Sequence, residues 1–161
     1  MLLKSKKEEI LKDLEQIVEG AKSLVLVNFH GMNVADETIL RRNLREKKVG
    51  YKVSRKTLLS RALSGKAKGD LPELPGEVAV AYSSLDQTTP PREIYNFSAT
   101  HKGLLSILGG IFEGEFVGRE KMTELAMIPS REVLYAKFVN LINSPIQRLV
   151  VTLNQIAKIK S

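Results

Sequence analysis

Cysteine and tryptophan are absent from the 161 residues, and histidine occurs only twice. The missing thiols exclude disulfides, thiolate metal sites and cysteine nucleophiles, and they suit a reducing compartment such as the cytoplasm. His30 and His101 are the sole near-neutral bases or imidazole ligands, and neither has a carboxylate or second ligand at motif spacing. No Walker loop, G-x-S-x-G or H-E-x-x-H stretch occurs. Gly109 and Gly110, with Gly114 and Gly118, stand between β-rich runs, where hairpin turns explain them more simply than a phosphate loop. Long apolar runs are lacking as well. The stretches at 24–29 and 104–112 fall far below the roughly 18–20 residues of a membrane helix. Charge sets in at Lys4, so no secretory leader is expected. The expectation is a cytoplasmic protein that is not an enzyme, holds no cofactor or metal and meets no membrane.

What is present is an uneven distribution of positive charge. The net charge is +7, yet residues 1–40 hold five basic and seven acidic side chains, and residues 70–132 hold five and ten. The excess lies between them. Arg41, Arg42, Arg45, Lys47, Lys48, Lys52, Arg55, Lys56, Arg61, Lys66 and Lys68 face Glu46 alone. A face that is merely solvated mixes both signs, because crowded cations repel one another unless a polyanion compensates them. An RNA backbone does so and releases condensed counterions. With Tyr51 and Phe29 the only aromatics nearby, stacking of splayed bases is a poor fit. Recognition of folded RNA by shape and phosphate is the better one.

Hydrophobic periodicity arranges these residues into elements. Ile10, Leu11, Leu14, Ile17 and Val18 give residues 5–19 one helical face, closed by Gly20. Residues 23–29 are apolar on both sides until Asn28, as a strand in a covered sheet would be. Asn33 stands at the cap of a second helix, which carries Asp36 and Glu37 in its first turn and turns Leu40 and Leu44 inward. Residues 49–54 alternate as a strand and 55–63 are helical, completing a β-α-β pattern. A loop at 65–76, a strand at 77–82, a helix from Pro90-Pro91 to about His101 and a hairpin of strands 104–110 and 112–117 follow. Everything after Arg119 is helical: a short helix at 119–126, another from Pro129-Ser130 to Ile142, and a last one begun by Asn143-Ser144-Pro145 and ending at Lys160. The fold class is α/β (α+β): a mixed sheet of about five strands covered by helices in residues 1–128, then a helical extension over 129–161.

Arg55 and Lys56 stand where a strand passes into a helix, with Arg41, Arg45 and Arg61 able to flank that edge; Lys52 and Lys7 join them as candidate RNA contacts. The second candidate is the last helix. Ile146, Leu149, Leu153 and Ile156 form a stripe at 3-4-3 spacing, widened by Val150 and Ala157. Residues 133–161 contain no carboxylate. Two readings stay open: the stripe folds back on the domain, or it protrudes and lies in a groove of an acidic partner.

In order and spacing, SLVLVNFHGMNVADETILRRNLREKKVGYKVSRKTLLSRAL, GEVAVAYS, LLSILGGIFEGEFVG and LAMIPSREVLYAKFVNLINSPIQRLVVTLNQI resemble the bacterial large-subunit ribosomal stalk-base family, the tenth protein of the large subunit. The resemblance implies a structural protein that binds large-subunit ribosomal RNA beside a neighbouring stalk-base protein. Its last helix would anchor acidic stalk-protein dimers, which recruit translational GTPases. By position, Gly31 matches the family's turn glycine, and Arg55, Lys56, Thr57 and Leu58 match its Lys-Asn-Thr-Leu segment. Lys56 departs from the asparagine, exchanging an amide hydrogen bond for a cation that also suits phosphate. A last helix of about 16 residues would be about 24 Å long and hold at most two partners. The alternative to a ribosomal scaffold is a free-standing repressor acting on a folded messenger leader.

Overall fold

The computed structural model of the chain describes residues 4–64, 74–101 and 104–160. Residues 65–73 of the expected loop, Lys66 and Lys68 among them, lie outside those described. The chain divides into two compact units, Met1–Ile128 and Pro129–Ser161.

The first unit runs α1 (Lys4–Gly20), β1 (Ser23–Asn28), α2 (Val34–Glu46), β2 (Gly50–Val53), α3 (Lys56–Leu63), β3 (Val78–Ser83), α4 (Thr89–Thr100), β4 (Ser106–Phe112), β5 (Glu115–Gly118) and α5 (Arg119–Ala126). The strands form one sheet in the order β2-β3-β1-β4-β5. The central place of β1 explains why its sequence is apolar on both sides. Val25 and Val27 face α2, α4 and α5, whereas Leu24 and Leu26 face α1 and α3. Val25, Leu26 and Val27 are fully buried, and side chains of this size each stabilise a fold by roughly 1.5–3 kcal/mol.

The α+β class expected from the sequence is the one observed, but the sheet is antiparallel at every pairing rather than mixed. The reason is insertion. β3 pairs antiparallel with both β1 and β2, so the two strands of the β1-α2-β2 unit run in one direction without being hydrogen-bonded neighbours, a split β-α-β arrangement. Local patterning shows a crossover; it carries no information about the strand that fills the gap.

The β4–β5 hairpin turns at Glu113 (φ 53) and Gly114 (φ 82), as two-residue primed turns require. Residues through Phe112 therefore belong to β4, and the strand limits shift from the expected 104–110 and 112–117. Gly110 has a packing reason to lack a side chain, since a Cβ there would lie 2.0 Å from the Leu24 carbonyl oxygen on β1. Asn33 occupies the expected cap of α2, but its side chain makes no capping hydrogen bond.

The second unit corrects an expectation. In place of two helices broken at Asn143-Ser144-Pro145 there is one, α6 (Arg131–Lys160), with Pro145 inside it. An interior proline removes one hydrogen bond and costs about 3 kcal/mol. Fourteen residues on one side and fifteen on the other propagate the helix in the same phase, so Leu134, Phe138 and Leu141 align at 100° per residue with Leu149 and Ile156 across it.

Candidate nucleic-acid interface and exposed helix

At the end of the sheet where β1 and β2 finish and β3 begins, a groove of about 620 Å³ is lined by Phe29, Val53, Ser54, Arg55, Lys56, Thr57, Gly76, Glu77 and Val78. A sharp turn follows Phe29 at this end of the sheet. Gly31 takes φ +84 just past β1, a left-handed conformation that favours glycine. The His30 N–H donates to Asn28 Oδ1 at 3.0 Å, fixing the entry to that turn. On the far side the Phe29 N–H donates to the Glu77 carbonyl at 3.2 Å.

The floor of cations comes from the start of α3. Arg55 is its N-cap in extended conformation, with no side chain capping the helix. The first N–H groups of a helix have no intrahelical acceptor and sit at the positive end of its dipole. Exposed Arg55, Lys56 and Thr57 add two full charges and a hydroxyl at the same place. The Ser54 hydroxyl beside them is buried without a hydrogen-bond partner among the described residues. Among the described residues the groove brings together two cations, Arg55 and Lys56, and one opposing carboxylate, Glu77; Lys56 Nζ also donates to the Leu74 carbonyl at 3.5 Å.

The other candidate cations flank the edge strand β2 on its two faces. Tyr51 packs with α2, and the Arg41 guanidinium lies 5.4 Å from its ring centroid while donating to Glu37 Oε1 at 2.6 Å. Arg45 follows one turn later, exposed, in the last turn of α2. Lys52 points to the opposite face and pairs with Asp13 of α1 at 3.3 Å. It lines a second groove of about 440 Å³ with Asp13, Lys48 and Tyr82. Arg61 is exposed on α3 and Lys7 half-buried on α1. Thus Arg55, Lys56 and Thr57 share one groove beside the Gly31 turn, whereas Arg41 and Arg45 on one face of β2 and Lys52 on the other form a band split between its two faces. Burial, reinforced by the Glu37 charge and opposed by Arg41, raises the Tyr51 phenol to about 12.

Ser54, Gly76 and Glu77 were not candidates in the sequence. Gly76 and Glu77 arrive from a distant segment, so nothing near Arg55 signals them. Lys48 and Lys52 carried the signal of the basic run, but not its partition into free cations and an ion pair.

The stripe residues of α6 are exposed: Ile146 64%, Leu149 61%, Val150 50%, Leu153 57% and Ile156 49%, with Ala157 also exposed. The seam begins earlier than expected, at Leu134, and continues through Phe138, Leu141 and Ile142, all exposed. Thirty residues at 1.5 Å each make a rod of about 45 Å.

No helix among the described residues is long and apolar enough to cross a membrane. A cationic groove in the first unit and an apolar seam exposed along the helix of the second are features of structural, partner-binding proteins. Comparison with known proteins narrows that class to the ribosome. Residues 2–99 match the family model of ribosomal protein L10, and residues 128–160 match that of the ribosomal protein uL10 C-terminal region. The chain is 35% identical over 156 residues to the large ribosomal subunit protein uL10 of Alkaliphilus metalliredigens, covering 96% of this chain and 93% of that one. The protein of the same name from Dehalococcoides mccartyi is 34% identical over 153 residues, 94% and 87% of the two chains. The chain belongs to the ribosomal protein L10 family; it is a structural protein of the large ribosomal subunit, not an enzyme.

Proposed function

We propose that the α/β unit binds large-subunit ribosomal RNA through the groove at the start of α3 and the cationic band along β2, and that α6 anchors dimers of an acidic stalk protein. The observation that carries the first half is the convergence of Arg55, Lys56, Thr57 and the Gly31 turn at one end of the sheet. Phosphate oxygens there meet free N–H donors and two cations in a shaped recess. Arg41, Arg45, Lys52, Arg61 and Lys7 extend the contact along the backbone.

The second half rests on the uncovered seam from Leu134 to Ile156. A rod that exposes so many large apolar residues gains by burying them in a partner's groove. Lys137, Arg148 and Lys158 stand without a carboxylate after Glu132, so complementary potential favours an acidic partner. The full length of about 45 Å, rather than the last 16 residues, is available to it. A neighbouring stalk-base protein beside the RNA, and GTPases reached through the acidic dimers, complete the assembly on the cytoplasmic ribosome.

The test is reconstitution on large subunits lacking this protein. Wild-type chain should co-sediment and restore loading of the acidic protein; substitution at Arg55 and Lys56 should remove the first, and aspartates at Leu149 and Leu153 only the second. Loading that survives those aspartates would show that the seam is not the anchor.

A further inference from the structure

The two edges of the sheet carry opposite charge. β2, at one edge, is bordered by the cations described above; β5 lies at the other. Beside β5 a groove of about 620 Å³ is lined by Phe112, Val117, Leu125 and Ile128 together with Glu113, Glu115, Glu124 and Lys121. The carboxylates are exposed, and among the described residues none of the three is paired with a cation. The apolar residues are half-buried or exposed: Ile128 is 36% accessible and its neighbour Met127 59%. Among the described residues β5 pairs with β4 alone and is an edge strand of the sheet.

This groove joins an apolar floor to a rim of three glutamates and one lysine, net acidic on a protein of net charge +7. Neither RNA nor an acidic stalk protein fits it. RNA is repelled by the glutamates, and an acidic stalk protein by the same sign. On a particle crowded with phosphate, a negative rim left bare is held against a like-signed surrounding, and a cationic polypeptide relieves that repulsion while covering the floor.

We propose that the groove between the β4–β5 hairpin and α5 docks a cationic, amphipathic segment of another protein. Apolar side chains of that segment would fill the recess over Phe112, Val117 and Leu125, and its lysines or arginines would meet Glu113, Glu115 and Glu124. The setting on an RNA particle rests on the function proposed above; the groove's preference for such a segment does not.

The probe is a synthetic 14-residue peptide with leucines at helical 3-4 spacing and lysines elsewhere, titrated into the full chain. Replacing Glu115→Lys with Glu124→Lys should weaken binding about tenfold or more through like-charge contact. Glu8→Lys with Glu9→Lys makes the same change of charge on α1 and should alter it less than about twofold. Val117→Ser, which changes no charge, should also weaken it. Affinity of the Glu115/Glu124 variant for ribosomal RNA should be undiminished, so loss of peptide binding and loss of RNA binding report separately. Equal loss in the two charge-matched pairs, or no loss with Val117→Ser, overturns the proposal. In purified large subunits, a photoreactive benzoylphenylalanine in place of Lys121 should crosslink to a basic protein segment; crosslinking only to RNA, or to a second copy of this chain, overturns it too.

Discussion

Replacing Arg55→Glu together with Lys56→Glu is the most informative perturbation of the RNA interface, because its effect on salt dependence follows from counting. Arg45, Arg55, Lys56 and Arg61 carry no ion pair among the described residues, while Arg41 is held by Glu37 and Lys52 by Asp13. A free cation that neutralises a phosphate contributes about 0.7–0.9 to the slope of log affinity against log salt. The double variant should therefore flatten that slope by about 1.4–1.8. Between 50 and 200 mM salt, the wild-type advantage should shrink about tenfold. Filter binding or fluorescence anisotropy with the stalk-base RNA fragment reads both quantities. The ion pairs supply an internal control: Asp13→Asn releases Lys52 from a surface bridge worth about 0.2–1 kcal/mol and should tighten binding a few-fold. A double variant weaker than wild type by the same factor at every salt concentration would refute phosphate neutralisation at the start of α3.

Leu149→Asp with Leu153→Asp should abolish loading of the acidic partner while moving unfolding of the α/β unit by less than about 0.5 kcal/mol, since both side chains are more than half exposed; a fall in the urea midpoint of that unit would show that they pack internally. Gly110→Ala should destabilise the chain by about 3 kcal/mol or more, because its Cβ would meet the Leu24 carbonyl oxygen at 2.0 Å; an unchanged urea midpoint contradicts that close approach. Tyr51 supplies a pH signature. Its folded phenol is raised from 10.0 to about 12, so its contribution to stability is complete below pH 10 and is lost as pH climbs toward 12. Tyr51→Phe should flatten the decline of stability over that interval, and identical alkaline profiles for the two proteins would count against a buried, neutral phenol.

The elements were readable in the chain because their causes are local. A 3.6-residue apolar period in 5–19 and an unbroken apolar run in β1 depend on near neighbours, and each matched an observed element; the hairpin was expected too, with its strand limits displaced by the turn at Glu113-Gly114. The charge bias was readable as well, being a property of composition. Pro145 is the instructive failure. As a local signal it marks a helix start; the helix continues through it because turns on both sides keep one apolar phase and outweigh one lost hydrogen bond.

The candidate site divides along the same line. The residue types for meeting a polyanion, Arg55 and Lys56 at a strand-to-helix junction, and the unopposed cations and apolar seam near the end of the chain, were encoded in order and spacing. Which of those cations are free was decided by tertiary structure: Lys52 meets Asp13 from 39 residues away, a contact set by packing α1 on the sheet. Gly76 and Glu77 reach the groove only because β3 inserts between β1 and β2, whereas the acidic groove is built from one contiguous stretch between Phe112 and Ile128, and it is strand order that sets it at the opposite edge of the sheet. Side-chain period and composition act over a few residues, whereas strand order follows from burying both faces of β1 at once, a condition satisfied only by the whole unit.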